Sequence, residues 1–209
     1  MEKTIYNLKI TFTEPILGTQ PQKDVAMEYL QDKARSKGID VADENETLPE
    51  IIEKGTTVFH KLDGKPIYYD YHVKGFLKES AQVQNGLKVG STEVKQLRSK
   101  IDNNVFVEPR RIVLNVPDGG KIEYLERPLR AMTAQGPRVS LARSEMLPEG
   151  TTLECRIVVL DTAKSREQIT EPIIRALLDY GKYKGFGQWR NASYGRIKYE
   201  LFKLEDAAA

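Results

Sequence analysis

TEPIIRALLDYGKYKGFGQWRNASYGRIKYELFKL, running from Thr170 to Leu204, carries a helix, a glycine-rich loop and a strand in succession. Ile169, Ile173, Ile174, Leu177 and Leu178 fall at helical spacing and line one face. Thr170 is a capping residue type, and Pro172 is tolerated in a first turn. Gly181 predicts the stop. At the far end, Ile197, Tyr199 and Leu201 alternate with Lys198, Glu200 and Phe202, which predicts a strand over Arg196–Leu204 with one face on the core.

Between helix and strand, Lys182–Lys198 holds five cations, four aromatics, three glycines and no acid. Glycines allow close backbone approach and positive φ. Cations neutralise phosphates, and aromatic faces stack on bases. Lys182, Lys184, Arg190 and Arg196 are therefore candidate phosphate contacts. Tyr183 and Trp189 are candidate stacking platforms, and Gly185 and Gly187 are positions of close approach. The competing reading is a tight hairpin with Phe186 and Trp189 packed as core.

Upstream, Ile5, Leu8, Ile10 and Phe12 predict a first strand over Thr4–Phe12, broken by Pro15, Gly18 and Pro21. Lys23–Lys37 reads as a helix stopped by Gly38, and Asp43–Glu53 as an acidic linker with a short helix. Asp63-Gly64 predicts a hairpin turn between Thr57–His60 and Ile67–Tyr69. Val73, Phe76, Leu77 and Ala81 predict a helix from His72 to Gln84. A short helix over Glu93–Asp102, a strand over Val105–Val116 and a strand over Lys121–Leu125 follow. Arg127–Arg143 reads as irregular, and Thr151–Leu160 as the strongest strand. Isolated helices among antiparallel strands give an α+β class, a modified ferredoxin-like sheet with helices on one face and insertions. The expected organisation is a single domain over 1–209, with insertions near 38–56 and 85–104 and an arginine-rich excursion over 127–148.

The 209 residues are 40% hydrophobic and 30% charged, enough to bury a core. No apolar run nears the ~20 residues of a membrane span, and no secretory signal is read. The lone Cys155 forms no internal disulfide and suits a reducing cytoplasm. Net charge is only +2, but it is unevenly spread. Residues 1–60 carry 7 basic and 11 acidic side chains, whereas residues 105–200 carry 16 and 12. Arg110, Arg111, Arg127, Arg130, Arg138 and Arg143 form a second cationic group, with Glu108, Glu123 and Glu126 nearby as ion-pair partners. No acid lies between Leu129 and Ser144. Arg127, Arg130, Arg138 and Arg143 are thus the candidates for nucleic-acid contact.

Catalytic signals are sparse. His60 and His72 are the only histidines and the only candidates for acid–base work. No nucleophile triad order, phosphate-loop motif or metal-ligand spacing is present, so no metal site and no cofactor is expected.

Three segments together resemble the RAMP superfamily of CRISPR-associated proteins, above all the subunits that form the backbone of effector complexes. Leu8–Thr19 resembles the opening strand and its small Gly-Thr loop. Pro66–Lys78 resembles the pattern Pro-x-Ile-Pro-Gly-Ser-Ser-Ile-Lys-Gly-x-Leu-Arg, matching at Pro66, Val73, Lys74, Gly75, Leu77 and Lys78. It departs where Tyr69-Asp70-Tyr71-His72 replaces Pro-Gly-Ser-Ser. Glu145–Leu153 resembles the Pro-x-Gly-Thr strand entry, and Gly185, Gly187, Gly195 and Arg196 match the glycine-rich loop that follows a helix. The chain is also similar to uncharacterised proteins of bacterial viruses.

The resemblance implies an RNA-recognition-motif-like fold and binding of single-stranded RNA, with DNA as the alternative polyanion. Lys74 at a helix start would add a phosphate contact, beside the unfavourable Asp70. It implies self-association or assembly with other RAMP-like subunits, no membrane partner, and a cytoplasmic setting (the host's, for a viral protein). A viral protein would act against or mimic a host RNA-guided complex. Some relatives cut RNA with a histidine, which makes metal-independent endoribonuclease activity through His72 or His60 the first alternative. Others use an aspartate after the first strand, where Asp24 is the nearest. A protein-interaction or virion component that retains only the fold is the second alternative.

Overall fold

The computed structural model describes residues 2–21, 56–86, 88–89, 92–133, 136–161 and 169–204. In chain order the first elements are β1 (Glu2–Phe12), β2 (Ile16–Leu17), β3 (Gln20–Pro21), β4 (Thr56–Val58), β5 (His60–Leu62), β6 (Lys65–Tyr69) and helix α1 (Asp70–Val83). They are followed by β7 (Lys88–Val89), β8 (Thr92–Glu93), α2 (Leu97–Asn104), β9 (Val105–Glu108) and β10 (Arg111–Val113). The last are β11 (Glu123–Thr133), β12 (Gly136–Leu147), β13 (Thr152–Asp161), α3 (Glu171–Asp179) and β14 (Ile197–Leu204).

The central sheet has the order β14-β1-β13-β9 and is antiparallel throughout. With α1 between β1 and β9, and α3 between β13 and β14, it forms the β-α-β-β-α-β path of a ferredoxin-like fold. Alternation explains how it packs. Tyr6, Leu8, Ile10 and Phe12 of β1, and Leu153, Cys155, Ile157 and Val159 of β13, are buried together. They meet Val73, Phe76, Leu77 and Ala81 of α1 and Ile173, Ile174, Leu177 and Leu178 of α3. Each such aliphatic or aromatic side chain contributes roughly 1.5–3 kcal/mol by leaving water. Ile5 belongs to the opposite face, and Tyr6 takes the core position at the start of β1. The two helices are pinned by the buried Ser80 hydroxyl, which donates to the Leu177 carbonyl at 2.9 Å. Burial pushes the Cys155 thiol up to about 12, so it is an inert core residue.

Two further sheets flank this core. One has the order β10-β6-β5, with the β5–β6 hairpin turning at Asp63-Gly64 as expected. The other has the order β11-β12-β4-β3, with β2 also paired to β12. Two basic side chains bind carbonyls of the outermost strands of the central sheet. Lys74 of α1 donates to Val105 of β9 and, at 2.8 Å, to Asp102 of α2. Arg175 of α3 donates to the Leu201 carbonyl of β14 at 2.8 Å.

Several expectations are corrected. The described residues of Arg127–Arg143 are regular, lying on the long antiparallel ribbon of β11 and β12. Its arginines and prolines hide the strands, yet Pro128 lies on an outermost strand, where a missing N–H breaks no ladder. Val105–Val116 is divided by Pro109 into β9 and β10, which join different sheets. Thr170 makes no side-chain cap; its carbonyl accepts from Ile173 and Ile174 at 3.1 Å. Gly181 does not end the helix through its backbone conformation. A Cβ there would lie 2.6 Å from the Ile197 side chain, so packing requires the glycine. The helix expected over Lys23–Lys37 and the linker over Asp43–Glu53 lie outside the described residues.

Candidate nucleic-acid interface

The glycine-rich loop leaves α3 through a 3-10 turn over Tyr180–Lys182 and folds back on itself before β14. Phe186 donates its N–H to the Gly195 carbonyl at 2.8 Å, and Gly195 donates to Pro15 at 2.9 Å. Both Gly185 (φ +75°) and Gly195 (φ +71°) are left-handed, and a Cβ at Gly195 would sit 2.1 Å from the Phe186 carbonyl oxygen. Backbone thus packs on backbone, which only glycine permits. Phe186 is core, stacked on Phe76 at 4.2 Å and edge-on to Phe12. Trp189 is not core; it is 42% exposed. It adopts a left-handed φ of +51°, a conformation that costs a non-glycine residue about 1 kcal/mol or more.

The Trp189 ring is stacked on Tyr194 at 5.3 Å and 15°, and the Arg127 guanidinium lies 4.3 Å from the indole centroid. Arg127 belongs to β11, so the ribbon and the loop meet here. Its Nε and Nη1 are buried with no hydrogen-bond partner, and burial lowers its pKa. Next to Trp189, Arg190 pairs with Glu79 of α1 at 2.5 Å. Beneath the loop, Gly187 lies against the Leu17 backbone and the Tyr68 hydroxyl. That hydroxyl is buried without a partner; burial raises its pKa and the Arg190 charge opposes the rise.

The other cations are dispersed. Lys184 donates to the Asn191 side chain at 3.1 Å, and Arg196 to the carbonyl of the exposed Tyr183 at 3.2 Å. Lys182 pairs with Asp179 at 2.6 Å and approaches the Tyr199 ring. Arg143 packs over Tyr124 at 4.1 Å beside Glu126. Because Arg143 pairs in register with Glu126, next to Arg127, it lies on the opposite face of the ribbon from Arg127. Arg130 is opposite Val139, and Arg138 opposite Ala131, along the same ribbon. Lys74 does not present its charge at the helix start. Its ammonium is occupied by backbone carbonyls, and burial lowers its pKa.

The two histidines lie near each other, His72 in the first turn of α1 and His60 on β5. Their rings are 6.3 Å apart. His72 Nδ1 accepts the Tyr69 N–H at 3.0 Å, which places the neutral ring's proton on Nε2, 3.3 Å from the Thr19 hydroxyl. Burial lowers the pKa of both histidines, most simply for His60; for His72 the nearby Tyr69 carbonyl partly offsets it. His72 thus works as an N-terminal helix cap. Asp24 lies outside the described residues.

A cavity of about 400 Å³ opens on the face of the central sheet away from the helices, between Asn7 and Phe202. Its ion pairs, Lys9–Glu154 at 3.7 Å and Arg156–Glu108 at 3.2 Å, balance its charge and give it no pull on a polyanion. Sequence reasoning missed Tyr194 and Glu79 as members of the interface. Tyr194 is visible as an aromatic within the loop, whereas nothing local in sequence links Glu79 to Arg190. No helix among the described residues is long and apolar enough to cross a membrane.

No protein-family model and no curated protein matches the chain. Among solved structures, the chain is similar to one in the cryo-EM structure of the type III-B Cmr-beta bound to cognate target RNA. The TM-score is 0.55 at 12% identity, over 99% of this chain and 62% of that one. A chain of a type IV-B CRISPR complex gives a TM-score of 0.42 at 12% identity, over 98% and 92%. The chain therefore spans less than two thirds of the Cmr-beta chain's length, and what it shares with that chain is the α+β fold described above.

Proposed function

We propose that the chain is a RAMP-superfamily protein that grips unpaired RNA without cutting it, as one subunit among copies of itself or related chains. The observation that carries this reading is the Arg127–Trp189–Tyr194 stack, where a cation and two flat rings meet and the indole is partly exposed. Stacking on an aromatic face tolerates any base and contributes about 1–3 kcal/mol per base. The arginine-bearing ribbon supplies positive charge for phosphates, while Arg190 beside the stack is engaged by Glu79. The likeness to the Cmr-beta chain, whose structure contains target RNA, supports RNA as the ligand; unpaired DNA offers the same faces and charge. The capping role of His72 supports binding without cleavage, because its Nδ1 lone pair is engaged by the Tyr69 amide.

Fluorescence anisotropy with labelled single-stranded RNA tests this. Affinity should fall between about 50 and 200 mM salt, with a slope near −0.7 per phosphate neutralised. Trp189→Ala should weaken binding by about 5- to 100-fold. Absence of binding at low salt overturns the reading, and labelled RNA that is shortened by the wild type overturns its non-catalytic part.

A further inference from the structure

The residues that replace Pro-Gly-Ser-Ser build a second aromatic surface, separate from Trp189. Tyr68, His72 and Tyr71 stack in turn. Tyr68 and His72 are 4.5 Å apart at 14°, and His72 and Tyr71 are 4.4 Å apart at 26°. The ladder runs from the interior to the solvent: Tyr68 is 1% exposed and Tyr71 is 56% exposed. Each rung is held. Tyr68 is locked in the core against Phe59 and Phe12. His72 is fixed at both ring nitrogens by the Tyr69 amide and the Thr19 hydroxyl. Tyr69 lies nearly parallel to Tyr71 at 5.3 Å.

The local charge selects what this surface takes. The Asp70 side chain accepts the Tyr71 N–H at 2.9 Å and occupies the start of α1, where an anion would otherwise bind. Burial disfavours the charged form of His72, so the ring of this rung is held neutral; the backbones of Arg110 and Arg111 pair with Asp70 and Tyr69 beside it. Asp70 takes the anion's place at the helix start, and the ladder itself offers flat, neutral ring. It is also close to the first interface. His72 and Glu79 lie on one face of α1, seven residues apart, and Glu79 holds Arg190. At 1.5 Å per residue that is about 10 Å along the helix.

We propose that Tyr71, held on this ladder, is a stacking platform for one nucleobase of the bound strand, distinct from the Trp189 platform. The inference rests on the proposed RNA binding.

The test uses the full chain with an oligouridylate RNA and the same ribose-phosphate strand without bases. Tyr71→Ala should weaken binding of the intact RNA by about 5- to 100-fold, while Tyr71→Phe leaves it unchanged. The baseless strand should bind wild type and Tyr71→Ala equally. Tyr71→Leu keeps apolar bulk against His72 and guards against a folding defect; it should lose affinity as Tyr71→Ala does. Unchanged affinity in Tyr71→Leu, or equal loss with and without bases, overturns the platform. If Trp189→Ala weakens binding while Tyr71→Ala and Tyr71→Leu bind as wild type, only the platform falls. If the wild type binds neither strand, the reading of the whole protein falls with it.

Discussion

The guanidinium of Arg127 stands 4.3 Å over the indole of Trp189, joining the β11–β12 ribbon to the glycine-rich loop through a cation–π contact. The indole is also stacked on Tyr194 of its own loop, so the contact ties the ribbon to an aromatic pair. Arg127→Ala, Trp189→Ala and the double variant should show a coupling of about 0.5–2 kcal/mol in denaturant unfolding. Additive losses would show that the two merely lie near each other.

Two glycines should respond in opposite directions. Gly195 is left-handed with the Phe186 carbonyl in the space of a Cβ, so Gly195→Ala should destabilise by more than about 1–3 kcal/mol. Gly75 lies in α1 with nothing within 4 Å of where a Cβ would stand, so Gly75→Ala should stabilise by about 0.4–1 kcal/mol. Thermal melts of the two variants decide it, and a lowered midpoint for Gly75→Ala would contradict the exposed placement.

Lys74 should matter for stability and not for the ligand. Its ammonium joins α1 to the Asp102 and Val105 carbonyls. Lys74→Met should cost about 1–3 kcal/mol and leave the salt slope of RNA binding as it is. A slope shallower by a full phosphate contact would return Lys74 to the interface.

His72 links the helix start to acidity. Its pKa lies below the ordinary 6.5 in the folded protein. Between that lowered value and 6.5, the unfolded chain binds more protons, so stability rises with pH across this window. It is lost as pH falls through the window, when Nδ1 must take a proton and release the Tyr69 amide. His72→Gln retains an acceptor at this capping position. It should reduce the drop in melting midpoint on acidification, the remainder belonging to His60. Parallel pH curves for wild type and variant would refute the coupling.

The elements legible in the sequence are those with one wet and one dry face. Strand β14 alternates Ile197 and Leu201 inward with Lys198 and Phe202 outward, and α3 repeats Ile173, Ile174, Leu177 and Leu178, so their periods survive. The ribbon of β11 and β12 is hidden because its sequence lacks a sustained apolar alternation and carries Pro128 and Pro137. The break between β9 and β10 is hidden for the opposite reason: apolar alternation resumes after Pro109. In the interface, the loop's composition announces flat rings and charge. Which charges are free depends on partners far along the chain, such as Glu79 for Arg190, and no local pattern encodes them. The Tyr71 ladder shows in sequence only as a departure from a familiar motif, because the contacts that make it a surface come from Tyr68 and Thr19.

Lys74 and Arg175 give the central sheet a social property as well as a mechanical one. Their charged tips sit on Val105 and Leu201, on the two strands through which a sheet would recruit another. One carbonyl on each of these strands is thereby already bound within the molecule. Endless lateral growth, the kind that ends in fibres, is disfavoured where an outermost carbonyl is already taken.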